Sequence, residues 1–370
     1  MRISAGAIAG WLTVVALLIA TPGLEAPGRP LLHTGIFIWL VLVVLWSAFD
    51  AVQEAEALAR ELPEPFGTLV LTMSVSAIEV VLICAAMFVD EEVSTLARDA
   101  MFSVLMIVLN GVVGIGLLIG GYRYHEQLFN LQGATAYLSV VIPLSSIALV
   151  LPSFTTSTPD GTLTLLQSVC FSIMTLFLYG LFLWLQIGRH QAYFVEATEP
   201  APPPAPAPAM HEPAADAGRA KRLAMHTAGL LLCMVPISLL ATPLAELLDR
   251  GLSHFGIPTA VGGVVIAMLV FAPEGMSTLI AVGANQLTKA INVSLGAATS
   301  TLGISVPVTL FVGLARGQPV LLGLPPVGIA LLAATLLLTT VTFLSARTTM
   351  LVGAVHLSLF VAFLVLAFNP

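Results

Sequence analysis

The chain has 370 residues, 58% of them hydrophobic and 9% charged, with a formal net charge of −7 and a mean hydropathy of +1.01. Soluble domains carry about 25% charged residues, so a water-soluble fold is excluded and the lipid bilayer is the expected surrounding; no nucleic-acid partner is expected. The apolar runs are about as long as a bilayer-spanning helix needs, not the short alternating segments of a membrane β-barrel. They predict an all-α polytopic membrane protein of about 11 transmembrane helices.

Helix 1 is predicted over Ser4–Ala20, closed by Thr21-Pro22-Gly23. Its short basic start, Arg2, and the lack of a good small-residue cleavage site favour a retained helix over a signal peptide. Helix 2 covers Leu31–Phe49 and runs into a polar extension, Asp50–Glu64, read as a solvated helix end. Helix 3, Phe66–Val89, is followed by the acidic loop Asp90-Glu91-Glu92 and by helix 4, Arg98–Gly120. Helices 5 and 6 are predicted over Ala134–Leu151 and Leu163–Ile187. The segment Glu199–Pro213 contains APPPAPAPAM, an extended Pro-rich composition that forms no core and serves as a tether. Helices 7 to 11 follow over Leu223–Leu248, Ile257–Val282, Ile291–Leu314, Pro325–Leu344 and Thr348–Phe368. Cys84, Cys170 and Cys233 fall inside apolar runs without metal-type spacing and are read as packing residues. His226 and His356, at or inside helices, are read the same way.

The layout divides into a leading helix and loop (1–30), a first set of five helices (31–189), a Pro-rich linker (190–222) and a second set of five (223–370). Because five is odd, the second set enters the membrane from the opposite side, the inverted-repeat arrangement of many secondary transporters. In each half the second helix carries one carboxylate near its middle, Glu79 or Glu274, and the next helix is rich in small residues: Asn110-Gly-Val-Val-Gly-Ile-Gly and Gly296-Ala-Ala-Thr-Ser-Thr-Leu-Gly. Small residues permit close helix approach and also expose backbone carbonyls, and both readings stay open. With the N-terminus cytoplasmic, nine basic residues fall inside and four outside; the positive-inside rule therefore places the N-terminus in the cytoplasm and the C-terminus outside, in a cell inner membrane.

A charge at mid-bilayer costs at least ~2.5 kcal/mol, so a carboxylate there is expected to face a cavity, a partner or an ion. In Ala272-Pro273-Glu274-Gly275 the proline removes a backbone donor and the glycine is permissive, which predicts a helix break at Pro273 and Gly275 that frees carbonyls as hard oxygen ligands beside a carboxylate. In helix 3, Thr72, Ser74 and Ser76 supply hydroxyls, Ser76 one turn before Glu79.

Three stretches resemble the Ca²⁺/H⁺ antiporters of the calcium/cation exchanger superfamily, in their bacterial ChaA-like branch: GTLVLTMSVSAIEV (Gly67–Val80), GGYRYHEQLFNLQGATAYL (Gly120–Leu138) and FAPEGMSTLIAVGANQLTKAINVSLGAATSTLGISVP (Phe271–Pro307). In the last, Glu274, Asn285, Gly296 and Pro307 follow one another at intervals of eleven residues, as in the second α-repeat of the superfamily. The resemblance implies two inverted five-helix halves whose repeats meet at the membrane centre. It implies that Glu79 and Glu274 bind the cation or protons, completed by Asn110, Thr299, Ser300 and Thr301, with backbone carbonyls near Val75 and Val270. The chain departs from the superfamily pattern at Ser76 and Phe271, where Asn is usual, at Gly275, where His is common, and at Ser300, where Gln is usual. The branch is associated with Na⁺/H⁺ and K⁺/H⁺ as well as Ca²⁺/H⁺ exchange, and broad selectivity fits the missing amides.

The expected function is secondary cation/proton antiport: cytoplasmic Ca²⁺, with Na⁺ or K⁺ also accepted, exchanges for external protons at carboxylates that hold either ligand but not both. No cofactor is expected beyond the transported ions. A cation channel or another ion-coupled transporter is the alternative, although a channel would ordinarily show a filter loop. An intramembrane enzyme is not expected, since neither a nucleophile–base set nor an H-E-x-x-H pattern is present.

Overall fold

Apolar runs of membrane length must satisfy their backbone hydrogen bonds internally, and eleven continuous helices make up most of the described chain in the computed structural model. The structure describes residues 4–24, 30–62, 66–89, 95–158, 161–194, 216–344 and 347–370. The helices are α1 (Ala5–Leu24), α2 (Pro30–Glu61), α3 (Phe66–Val89), α4 (Leu96–Tyr124), α5 (Leu131–Phe154), α6 (Leu165–Arg189), α7 (Asp216–Phe255), α8 (Thr259–Gly283), α9 (Leu287–Arg316), α10 (Pro326–Thr342) and α11 (Met350–Phe368). Among the described residues nine helices are long and apolar enough to cross a membrane, and α1 and α10 are apolar but shorter. The acidic loop 90–94 and most of the Pro-rich linker lie outside the described residues.

Two expectations need correction. Helix α8 does not break at Pro273 and Gly275; it is one α-helix from Thr259 to Gly283. Proline withholds a single donor, from the carbonyl of Leu269, while its fixed φ suits a helix, and packing against α4 and α9 holds both sides in line. The ladder is disturbed elsewhere, in π-helical segments at Ile107–Val112 of α4, Ser146–Val150 of α5 and Thr301–Ser305 of α9. Two of these end two residues before a proline, Pro152 or Pro307, whose absent N–H leaves the carbonyl of Ala148 or Gly303 without its usual donor. Second, α1 continues through Thr21-Pro22-Gly23 to Leu24. The all-α bundle carries one short ladder between connections, in which Gln127–Leu128 pairs antiparallel with Arg347–Thr348.

Helix α7 also begins earlier than hydropathy indicates, at Asp216. At 1.5 Å per residue the 32 residues of α2 and 40 of α7 reach about 48 and 60 Å, well beyond a hydrocarbon core of ~30 Å. Their polar ends therefore project together. Arg222 Nε donates to Glu61 Oε1 at 2.6 Å, His226 Nδ1 lies 2.8 Å from Glu54 Oε2, and Arg219 Nε donates to the carbonyl of Glu61 at 2.9 Å. The charged extension of helix 2 is thus paired rather than simply solvated. α1 caps this pair: the Gly6 N–H donates to Asp50 Oδ2 at 2.7 Å, and the Trp11 indole donates to the Leu232 carbonyl at 3.2 Å.

Helices α4 and α9 are the most enclosed, and the small residues of α4 mediate close crossings. A Cβ added to Gly114 would lie 3.1 Å from the Gly353 carbonyl oxygen of α11, and one on Gly121 would lie 2.6 Å from the Met350 nitrogen. On the other side, a Cβ on Gly263 of α8 would meet backbone atoms of Asp99 at 2.5 Å and Ala100 at 2.8 Å. Backbone cannot yield as a flexible side chain does, so Gly263→Leu is expected to lower the melting temperature in detergent and the membrane level of the protein. Gly283→Ala, with nothing within 4 Å of the new methyl group, should leave both near the parent values.

Candidate ion-binding site

Glu79 lies near the middle of α3 and Glu274 past the middle of α8, so both carboxylates sit far from either helix end. Glu79 is 4% exposed. Its Oε1 accepts a hydrogen bond of 3.0 Å from Ser305 Oγ, and Thr301, one turn earlier on α9, faces the same carboxylate. The π-helical segment Thr301–Ser305 places both hydroxyls on the face turned to α3. Glu274 is less enclosed and lines a cavity of about 350 Å³. The two carboxylates lie close enough for the charge of Glu79 to act on Glu274.

Helical spacing gives the cavity its direction. Along α9 it is lined by Lys289, Asn292, Gly296 and Ser300. Eleven residues at 1.5 Å each place Ser300 about 16 Å deeper than Lys289. Glu56, at the polar end of α2, lies at the shallow end with Lys289, and Val75, Tyr179, Glu274 and Ser300 lie at the deep end. Near the mouth, Asn292 Nδ2 donates to the Phe194 carbonyl at 2.6 Å and Gln186 Nε2 donates to Tyr137 Oη at 2.7 Å. The cavity thus leads from one end of the bundle to Glu274, with Glu79 behind it and absent from its lining.

The remaining residues singled out from the sequence divide into three groups. Val75 and Ser300 line the cavity beside Glu274. Ser76 and Thr299 are buried and outside its lining, as is Val270. The hydroxyls of Ser76, Thr299 and Ser300 donate to carbonyls of their own helices, those of Thr72, Leu295 and Ala297, at 2.9, 2.6 and 3.0 Å; each keeps lone pairs for a second contact. Asn110 points elsewhere. Its amide donates to Thr335 Oγ1 at 2.7 Å, and its Oδ1 lies 3.2 Å from His356 Nδ1, whose Nε2 meets Thr342 Oγ1 at 2.9 Å. The Asn110 side chain therefore joins α4 to α10 and α11 in a buried polar network.

Asn285 turns the chain between α8 and α9 in the left-handed region, with φ of 59°, a conformation Asn tolerates. Its Oδ1 accepts from Gln127 Nε2 at 2.8 Å, which gives Gly120–Leu138 a role in bracing that corner. Among the described residues no group of three His, Cys, Asp or Glu side chains forms a metal cage; Glu79 and Glu274 are the carboxylates at this centre. Sequence reasoning missed Ser305 and Tyr179. Ser305 was within reach as the residue one turn after Thr301, whereas Tyr179, on α6, carries no local signal.

The model of the sodium/calcium exchanger protein family matches residues 32–188 and 225–369. The chain is 38% identical over 325 residues to y4hA of Sinorhizobium fredii, an ionic transporter by name, covering 88% of this chain and 86% of that one. It is 32% identical over 329 residues to the sodium-potassium/proton antiporter ChaA of Escherichia coli, again covering 88% and 86%. Among solved structures, native YfkE superimposes with a TM-score of 0.74 at 16% identity, covering 98% of this chain and 99% of that one. The H⁺/Ca²⁺ exchanger CAX superimposes with a TM-score of 0.67 at 13% identity, covering 97% and 87%.

A hydrogen bond to a charged group contributes about 1.5–3 kcal/mol. Ser305→Ala removes the donor to Glu79 and should reduce cation-driven proton movement in vesicles by on the order of tenfold, with normal membrane insertion. Ser305→Thr, which keeps the hydroxyl, should recover most of it.

Proposed function

The chain belongs to the sodium/calcium exchanger protein family, and from that premise we propose that it is a secondary cation/proton antiporter working at Glu79 and Glu274. The observation that carries this reading is the pair itself: Glu274 at the inner end of a cavity and Glu79, on a separate helix, buried behind it and within its field. Two negative charges brought together in a low-dielectric interior repel and are poorly solvated, so the arrangement is stable only when protons or a cation neutralise them. A proton and a cation compete for the same oxygens. If the site is open to one side at a time, loading with one ligand requires release of the other, and exchange is obligatory.

Ca²⁺, Na⁺ and K⁺ are the proposed cations. Similarity to a sodium-potassium/proton antiporter supports the monovalent ions, and the likeness in fold to an H⁺/Ca²⁺ exchanger is compatible with Ca²⁺. Two carboxylates with hydroxyl and carbonyl oxygens form a hard-oxygen site suited to these ions, and no further cofactor is invoked. The two matched segments, 32–188 and 225–369, correspond in this reading to two inverted halves. The positive-inside rule puts the N-terminus in the cytoplasm, the cavity mouth with Lys289 on the cytoplasmic side of an inner membrane, and the C-terminus outside. Cytoplasmic cations would enter there and leave in exchange for incoming protons.

Everted vesicles test the reading. Adding Ca²⁺, Na⁺ or K⁺ separately should collapse an imposed pH gradient, and Glu79→Gln and Glu274→Gln should each abolish the response while the protein still inserts. Near-normal exchange in either well-inserted variant would sink the shared site, and cation current without proton movement would favour a channel. Selectivity has its own test. Ser300 faces the cavity and Ser76 lies a turn before Glu79, so Ser300→Gln or Ser76→Asn should shift preference toward Ca²⁺ by adding an amide oxygen. The apparent affinities for each cation at two pH values would show it, and a parent that already excludes Na⁺ and K⁺ at alkaline pH would rule out the missing amides as the cause of breadth.

A further inference from the structure

Tyr179 stands on α6, a different helix from α3 and α8, which carry the carboxylates. It is the deepest member of a stripe, Tyr179, Phe182, Leu183 and Gln186, that faces the cavity, and it lies about 10 Å further in than Gln186 at 1.5 Å per residue. Its ring rests against Gly303: a Cβ built there would lie 2.5 Å from the ring's Cγ. Gly303 belongs to the π-helical segment whose Thr301 and Ser305 face Glu79, so the ring is set against the same backbone that positions those hydroxyls.

The hydroxyl of Tyr179 is buried and has no hydrogen-bond partner among the described residues. Buried polar groups are nearly always paired. The contrast with Tyr137 is direct, since that equally buried tyrosine also lines the cavity and its hydroxyl accepts from Gln186. The charges that act on the Tyr179 hydroxyl are those of Glu79 and Glu274. The hydroxyls of Ser76, Thr299 and Ser300 donate to their own helices and that of Ser305 donates to Glu79, whereas the Tyr179 hydroxyl, like that of Thr301, has no partner among the described residues and can turn.

Resting on the exchange reading above, we propose that the Tyr179 hydroxyl is a specificity-determining ligand of the site, a neutral oxygen offered to a dehydrated alkali or alkaline-earth cation held by the two glutamates. A phenol can donate to a carboxylate and, after rotation of its O–H, present a lone pair to a cation. It would thus assist both loaded states and partly replace the amide oxygens missing at Ser76, Phe271 and Ser300.

Tyr179→Phe removes one oxygen and keeps the ring against Gly303. In proteoliposomes the apparent KM for Ca²⁺ and for K⁺ should rise about tenfold at fixed pH, by unequal factors for the two ions. The maximal rate should stay within about twofold and the melting temperature should not fall. A ligand worth one hydrogen bond to charge gives an effect of that order. Unchanged KM and selectivity would overturn the proposal, as would a lower maximal rate with unchanged KM and a lower melting temperature, the mark of a packing role. If Y179F does not fold, tyrosine difference absorbance of the purified parent decides: a change on adding Ca²⁺ is expected, and none would overturn the assignment. A parent without cation-driven proton movement would overturn the exchange reading and this inference with it. An active parent matched by Y179F would overturn this inference alone.

Discussion

Two glutamates placed away from water set the terms for everything around them. A carboxylate buried among apolar helices is tolerated only when protonated, paired or bound to a cation, and a second one beside it deepens the requirement. Glu79 accepts a hydrogen bond from the Ser305 hydroxyl of α9, while Glu274 opens onto the cavity. Their surroundings are therefore unequal: one carboxylate is enclosed by protein donors and the other is within reach of solvent from one end of the bundle. In the proposed exchange such a pair would hold a single cation across two helices, and a change in the packing of α3 against α9 would alter both the geometry of the pair and its access.

The rest of the bundle keeps that packing specific. The π-helical segments in α4 and α9 displace the hydrogen-bond ladder at Asn110-Gly111 and Thr301–Ser305; the first directs Asn110 into the network with Thr335 and His356, and the second aims Ser305 at Glu79. The long helices α2 and α7 pack extensively and are tied at their polar end by Glu61–Arg222 and Glu54–His226. Exposed pairs of this kind contribute little stability individually. Their effect is to set the relative register of two long helices.

Hydropathy and charge made the helices legible because membrane-length apolar runs have essentially one way to satisfy their backbone. The same physics singled out Glu79 and Glu274, since a mid-membrane charge is rare without a reason. Local rules were weaker guides where neighbours decide the outcome. Pro273 signalled a break, yet a single missing donor is too small a perturbation when packed helices hold both sides. Asn110 resembled a site residue by position, but its partners come from α10 and α11, more than two hundred residues away. Ser305 needed only the turn after Thr301 to be considered, whereas Tyr179 comes to the cavity and to Gly303 through the arrival of α6, which no spacing within the sequence announces.

Competition between protons and cations at one pair of carboxylates is the central claim, and it can be tested without a membrane gradient. Purified protein in detergent, in weakly buffered solution with a pH indicator, would be titrated with Ca²⁺ and, separately, K⁺. Shared-site exchange predicts proton release that saturates with cation binding and shrinks as the starting pH is raised and the carboxylates are already ionised. Saturable cation binding that releases no protons at any pH between mildly acidic and alkaline values would contradict it.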